Sequence, residues 1–156
     1  MRTEVRREML VRTVGSVFIT MLDLDVFPSE IPRRPAGDLL TSYVRVTGEW
    51  NGAILLQCTR QQACRFAGRV LTSDPPDHVD DGVRDVLGEL ANVIGGNMKG
   101  VMAAAAHLSM PTVIEGGELD LHIFGSKGQE RLTFESSEGS FWVTILIARC
   151  NPDQSG

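Results

Sequence analysis

The 156-residue sequence predicts an α+β fold: an antiparallel sheet with long helices packed on one face, built as two pseudo-symmetric halves. Apolar residues recur at helical spacing in two long stretches, near the N-terminus and around residues 79–107. Alternating or continuously apolar runs, punctuated by glycine turns, occupy the segments between and after them. Helix, strands, helices, strands is the order of an α+β domain with an antiparallel sheet, and residues 1–156 read as one such domain.

Val5, Met9, Val14, Val17, Phe18 and Met21 place a first helix over Thr3 to Leu22. "DLDVFP" alternates and stops at a proline, which predicts a short strand; Ser29 to Asp38, with its prolines and glycine, is a loop. "LLTSYVRVTGEWNGAILLQC" reads as a hairpin turning near Gly48 to Gly52. Thr59 is an N-cap for a helix running to about Leu71, which "TSDPPDHVDD" ends. The next helix is expected from Val79 to His107, capped by Asp80 or Asp81 and stopped near Met110-Pro111, because a residue before proline avoids the α region. "TVIEGGELDLHIFG", "QERLTFES" and "SFWVTILIARC" complete the sheet, the last as either a core strand or a paired edge.

A faint internal repeat underlies the expectation of two halves. Arg7-Glu8-x-Leu10 aligns with Arg84-Asp85-x-Leu87, and "GEWNGAILLQC" has a partner in "EGSFWVTILIARC", so each half holds a helix followed later by a hairpin ending in cysteine.

Composition excludes several classes. Hydrophobic residues make up 42% and charged residues 22%, with a net charge of −5 and no basic surface beyond Arg6-Arg7 and Arg33-Arg34, so nucleic acid is not an expected partner. No segment approaches the ~20 consecutive apolar residues of a membrane span. The N-terminus "MRTEVRREML" lacks the apolar core of a signal peptide, which predicts a cytoplasmic protein. Cys58, Cys64 and Cys150 have neither paired nor zinc-type spacing and are expected as reduced thiols.

The long helix carries "GELANVIGGNMKG", Gly88 to Gly100, although each interior glycine costs roughly 1 kcal/mol relative to alanine. On a helical wheel Val83, Val86, Leu87, Leu90, Ile94 and Val101 form the core stripe. Asp85, Glu89, Asn92, Gly96 and Lys99 gather on the other side, with Glu89 and Asn92 neighbours at i, i+3. By residue type alone this is equally a solvated helix face, with Gly95-Gly96 serving close packing against another helix and "AAAA" at Ala103–Ala106 doing the same.

The combination resembles the CheX/CheC/FliY class of chemotaxis phosphatases. The resemblance is carried by "DVLGELANVIGGNMKG", similar to that family's Glu-x-x-Asn helix followed by small residues, here Glu89-x-x-Asn92, and by the order of elements over most of the chain. Members of this family remove the phosphoryl group from the aspartate of a phosphorylated CheY-like receiver domain. The resemblance implies that Asn92 enters the receiver's active site and orients the attacking water, that Glu89 pairs with the receiver's lysine, and that Asp85, Gly96 and Lys99 form the surrounding contact face. It implies a Mg²⁺ ion held by the receiver, no cofactor of the chain's own, and a homodimer. Some members carry the motif in both halves. Here the repeat places Arg12 opposite Glu89 and Gly15 opposite Asn92, so one active site per chain is expected.

Other motifs carry less. "EGGELD", Glu115 to Asp120, is a hairpin turn rather than a nucleotide site; Gly96-x-x-x-Gly100 sits on a helix too charged to span a bilayer; His78, His107 and His122 are scattered. The competing readings are a non-catalytic module docking on a receiver or a flagellar switch component, and a structural assembly domain with no affinity for receivers.

Overall fold

The fold follows from where apolar periodicity changes from helical to alternating. In the computed structural model, residues 3–48, 51–102, 105–116 and 126–148 are described. Their elements in order are α1 (Thr3–Leu22), β1 (Phe27–Pro28), β2 (Leu39–Thr47), β3 (Gly52–Thr59), α2 (Arg60–Leu71), α3 (Asp81–Met102), β4 (His107–Leu108), β5 (Thr112–Glu115), β6 (Ser126–Glu135) and β7 (Phe141–Ala148). The strands form one antiparallel sheet in the order β1-β6-β7-β3-β2-β4, with β5 also pairing β2.

The second strands of the two hairpins, β3 and β7, pair at the centre, with Gly52 opposite Ile147 and Gln57 opposite Trp142. β7 is therefore a core strand, which resolves the alternative left open by its apolar sequence. All three helices pack on one face. Leu10, Val14 and Phe18 of α1, Phe66 of α2, and Leu87, Leu90 and Ile94 of α3 share a core with Val44, Leu56, Val143 and Ile145 of the sheet. Phe18, Phe66, Phe134 and Phe141 meet within it, Phe18 stacking on Phe141 at 4.8 Å and standing edge-on to Phe66 at 5.3 Å, geometries that favour aromatic pairs.

Local chemistry sets the helix starts. Thr59 caps α2 through a capping box in which its hydroxyl accepts from the Gln62 N–H and Gln62 Oε1 accepts from the Thr59 N–H. The Gln62 Nε2 also donates to the Glu138 and Ser140 carbonyls, which ties the β6–β7 turn to this helix. Asp80, rather than Asp81, caps α3, its Oδ1 accepting from the Val83 N–H at 2.8 Å.

Several expectations are corrected. α3 ends at Met102 instead of His107, and His107-Leu108 turn back as β4 to pair with Val46 and Thr47 of β2. Sheet hydrogen bonds satisfy that backbone where a longer helix would have left the edge of β2 bare. Val101 is 54% exposed and so outside the core stripe, because it lies in the last turn of α3. Val5, in the first turns of α1, is also exposed. The "DLDVFP" strand shrinks to Phe27–Pro28, which pair with Phe134 and Glu135 of β6. β6 begins at Ser126, three residues earlier than expected, and releases Ser136 to the turn. Of the expected strand after Pro111, Thr112–Glu115 is seen; Gly117 to Gly125, with His122, lie outside the described residues, as do Ala103, Ala104 and Cys150. Cys58 and Cys64 are free thiols, and burial, foremost, pushes Cys58 up to about 12.

Candidate functional site

The face of α3 away from its buried stripe is where charge and amide groups stand without apolar cover. Asp85, Glu89 and Gly96 are exposed, and Asn92 and Lys99 are half-buried. Glu89 and Asn92 are one turn apart on the same surface, and neither side chain bonds to another described residue, in contrast to Arg84, which donates to Glu115 Oε1 at 3.0 Å. A carboxylate and a carboxamide thus point outward with their full hydrogen-bonding capacity open: two acceptor oxygens on Glu89, an acceptor and two N–H donors on Asn92.

Glycines frame Asn92 along one i, i+4, i+8 stripe of the helix, Gly88 before it and Gly96 after it. Gly88 is buried, and a Cβ there would meet the Pro111 ring at 3.4 Å, so the β4–β5 connection lies against this side of α3. Gly96 is exposed, its hypothetical Cβ no nearer than 3.9 Å to Leu108, and it leaves the surface beyond Asn92 without a side chain. Gly95 serves packing instead. A Cβ there would lie 2.6 Å from Val44 Cγ2, so Gly95 packs against strand β2, whereas the packing alternative had both glycines against another helix. The buried Ser42 hydroxyl, also on β2, donates to the Leu87 carbonyl at 2.8 Å and holds the helix to the sheet half a turn before Glu89.

Periodicity missed these supports. Gly88, Pro111 and Ser42 act through contacts between elements far apart in sequence, and only the small residue at i−4 from Asn92 hinted at them. The Arg60–Glu115–Arg84 bridge, with Glu115 Oε1 accepting at 2.9 and 3.0 Å, similarly joins α2, β5 and α3; the Arg60 hydrogen bond, foremost, holds the Glu115 carboxyl below its ordinary range.

The corresponding surface of α1 is different in kind. Arg12 is highly exposed beside Glu8, 3.9 Å away, and a Cβ on Gly15 would meet nothing within 4 Å. No carboxamide stands where Asn92 stands on α3.

The family described as chemotaxis phosphatase CheX matches residues 40–135, well over half of the sequence and including all of α3. This chain belongs to the CheX family. No curated protein sequence matches it. Among solved structures, the CheX protein of Vibrio vulnificus superposes with a TM-score of 0.75 at 19% identity, over 90% of this chain and 95% of that one. CheX of Desulfovibrio desulfuricans gives 0.74 at 22% identity, over 91% and 99%. A CheX of Borrelia burgdorferi, solved in complex with CheY, BeF₃ and Mg²⁺, gives 0.67 at 19% identity, over 92% and 97%. These likenesses extend the CheX fold over nearly the whole chain, beyond the residues of the family match.

No helix among the described residues is long and apolar enough to cross a membrane. Among the same residues there is no group of three or more His, Cys, Asp or Glu side chains arranged to hold a metal ion.

Proposed function

We propose that this CheX-family protein hydrolyses the aspartyl phosphate of a CheY-like receiver domain, with Asn92 positioning the attacking water and Glu89 pairing with the receiver's lysine. The observation that carries the reading is the pair itself: in a chemotaxis phosphatase family member, Glu89 and Asn92 stand side by side on a rigid helix, facing outward and bonded to no other described residue. A CheX of the same fold is known in complex with CheY, which supports a receiver as the partner.

Hydrolysis of an acyl phosphate needs a water held in line with the leaving carboxylate oxygen and little covalent help. A carboxamide meets that need, because the Asn92 Oδ1 accepts from an O–H of the water while its Nδ2 donates to a phosphoryl oxygen. The water oxygen bonds to phosphorus, the bond to the aspartate oxygen breaks with its electron pair, and the products are free phosphate and the receiver's carboxylate. The water's proton leaves with the phosphate or to solvent. A carboxylate in place of Asn92 would repel the incoming phosphoryl group. Glu89 supplies the negative charge the receiver's lysine meets, and Asp85, Gly96 and Lys99 form the rim on which the receiver's surface rests. Mg²⁺ belongs to the receiver in this scheme and neutralises phosphoryl charge there. The chain acts as a homodimer in the cytoplasm.

The test is the decay of a phosphorylated chemotaxis receiver in Mg²⁺ buffer, with wild-type protein and folded Asn92→Ala and Glu89→Ala variants. Faster decay that Asn92→Ala abolishes without weakening receiver binding supports the proposal. Binding without accelerated decay would replace it with a docking module, and no binding to any candidate receiver would leave a structural role.

A further inference from the structure

The charge of the chain is −5, yet one corner of the molecule is strongly basic. Arg7 of α1, Arg33 and Arg34 of the loop before β2, and Arg131 of β6 line a cavity of about 290 Å³ beside Trp142, far from the phosphatase face in sequence and built on other elements. Four guanidiniums there face two carboxylates, Glu30 in the lining and Glu135 at 3.9 Å from Arg33, which leaves a local excess of two positive charges. Arg7, Arg34 and Arg131 make no ion pair among the described residues.

The corner is organised rather than merely crowded. The Arg131 guanidinium lies over the Trp142 ring, 4.1 Å from its centre, and the indole N–H donates to the Arg33 carbonyl at 2.8 Å, which ties the arginine-bearing loop to the sheet. The Ser29 N–H donates to the Thr133 carbonyl at 2.8 Å and fixes the start of the same loop to β6. Burial, and then the like charge of Arg34, lower the pKa of Arg131, so the two cations are close enough to oppose each other with no carboxylate of their own between them. Bringing like charges together while desolvating one costs stability unless an anion offsets it.

We propose that this cavity binds a phosphate group, the dianion whose charge equals the local excess. Guanidiniums present paired N–H donors that match phosphate oxygens. The Trp142 ring is only 9% exposed, its face is covered by Arg131 and its N–H is engaged, so the site offers no stacking surface for a nucleobase. Inorganic phosphate and a small phosphomonoester present the same group, and the cavity admits either.

The experiment is an NMR titration of the full chain, following the Trp142 indole and arginine Nε–H signals, with inorganic phosphate and separately with glycerol 3-phosphate, against sodium chloride at matched ionic strength. Saturable shifts with either phosphate and none with chloride are expected. Arg34→Gln, an exposed loop substitution, should weaken the affinity at least tenfold, and Arg131→Gln should do the same with an unchanged circular dichroism spectrum. Equal affinity for both probes assigns the site to the phosphate group alone, and tighter binding of glycerol 3-phosphate assigns it to a phosphomonoester. The absence of saturation with both, an equal response to chloride, or an Arg34→Gln variant with undiminished affinity would overturn the proposal.

Discussion

Gly95 of α3 sits so close to Val44 of β2 that a Cβ on the glycine would lie 2.6 Å from Val44 Cγ2. The approach sets the height of α3 above the sheet, and with it the placing of Asn92, three residues earlier on the same helix, and of Glu89 beside it. Gly95→Ala should therefore destabilise the protein by about 1–2 kcal/mol, the overpacking cost outweighing the gain in helix propensity. Gly100, whose hypothetical Cβ meets nothing within 4 Å, is the control: Gly100→Ala should be neutral or raise stability by up to about 1 kcal/mol. Urea denaturation of the two variants against wild type checks both signs.

Asn92 and Glu89 should separate in kinetics. Asn92→Ala is expected to lower receiver dephosphorylation by roughly 10²-fold or more through loss of water positioning, while leaving receiver binding near wild type. On the proposed assignment Glu89→Ala removes the partner of the receiver's lysine, so it should weaken binding as well as turnover. Single-turnover decay at saturating protein, with binding measured against a receiver carrying BeF₃, distinguishes the two; a Glu89→Ala defect confined to turnover would contradict the assigned role.

The surface of α1 should be dispensable for this chemistry. Arg12→Ala and Gly15→Ala are expected to retain phosphatase activity within about twofold, and Gly15→Ala to stabilise α1 by up to about 1 kcal/mol, since its Cβ enters open space. Severe loss of activity in folded Arg12→Ala protein would refute a single site per chain.

The Arg60–Glu115–Arg84 bridge predicts a pH dependence. Glu115 has its folded pKa lowered from the ordinary glutamate value of 4.5, first by the Arg60 hydrogen bond. Its stabilising effect is consequently present above 4.5 and lost as pH falls through the lower, folded value. The difference in urea midpoint between wild type and Glu115→Gln should be small, the carboxylate being exposed, constant from neutral pH down to the ordinary glutamate range, and absent in more acid solution.

Cys58 should be inert in the native state. It is fully buried with its pKa pushed up to about 12, so thiol reagents at mildly alkaline pH should modify it only on unfolding. Rapid labelling of Cys58 in native protein, read by mass spectrometry, would contradict its place in the core.

Much of this was legible in the sequence because it depends on period alone. Apolar residues at 3.6-residue spacing outlined α1 to its observed ends, and Thr59 and the Asp80-Asp81 pair marked two helix starts, the structure choosing Asp80 of the pair. The same period put Glu89 and Asn92 on one surface and away from Leu87, Leu90 and Ile94, so the candidate pair was readable before any tertiary contact.

A period says which side of a helix is apolar; it does not say what that side meets or where the helix stops. α3 ends at Met102 because His107-Leu108 satisfy their backbone by pairing with β2, a strand some sixty residues earlier, and Val101 is left in solvent by the same event. That Gly95 answers to Val44, that Pro111 walls Gly88, and that Arg131 lies over Trp142 beside Arg34 are facts of elements brought together by folding. By itself the sequence determined α1, α2, the start of α3, the long strands and the outward pair on α3. Tertiary structure alone decided the closeness of α3 to the sheet and the basic corner, because both arise from van der Waals and Coulomb contacts between segments with no local relation in the chain.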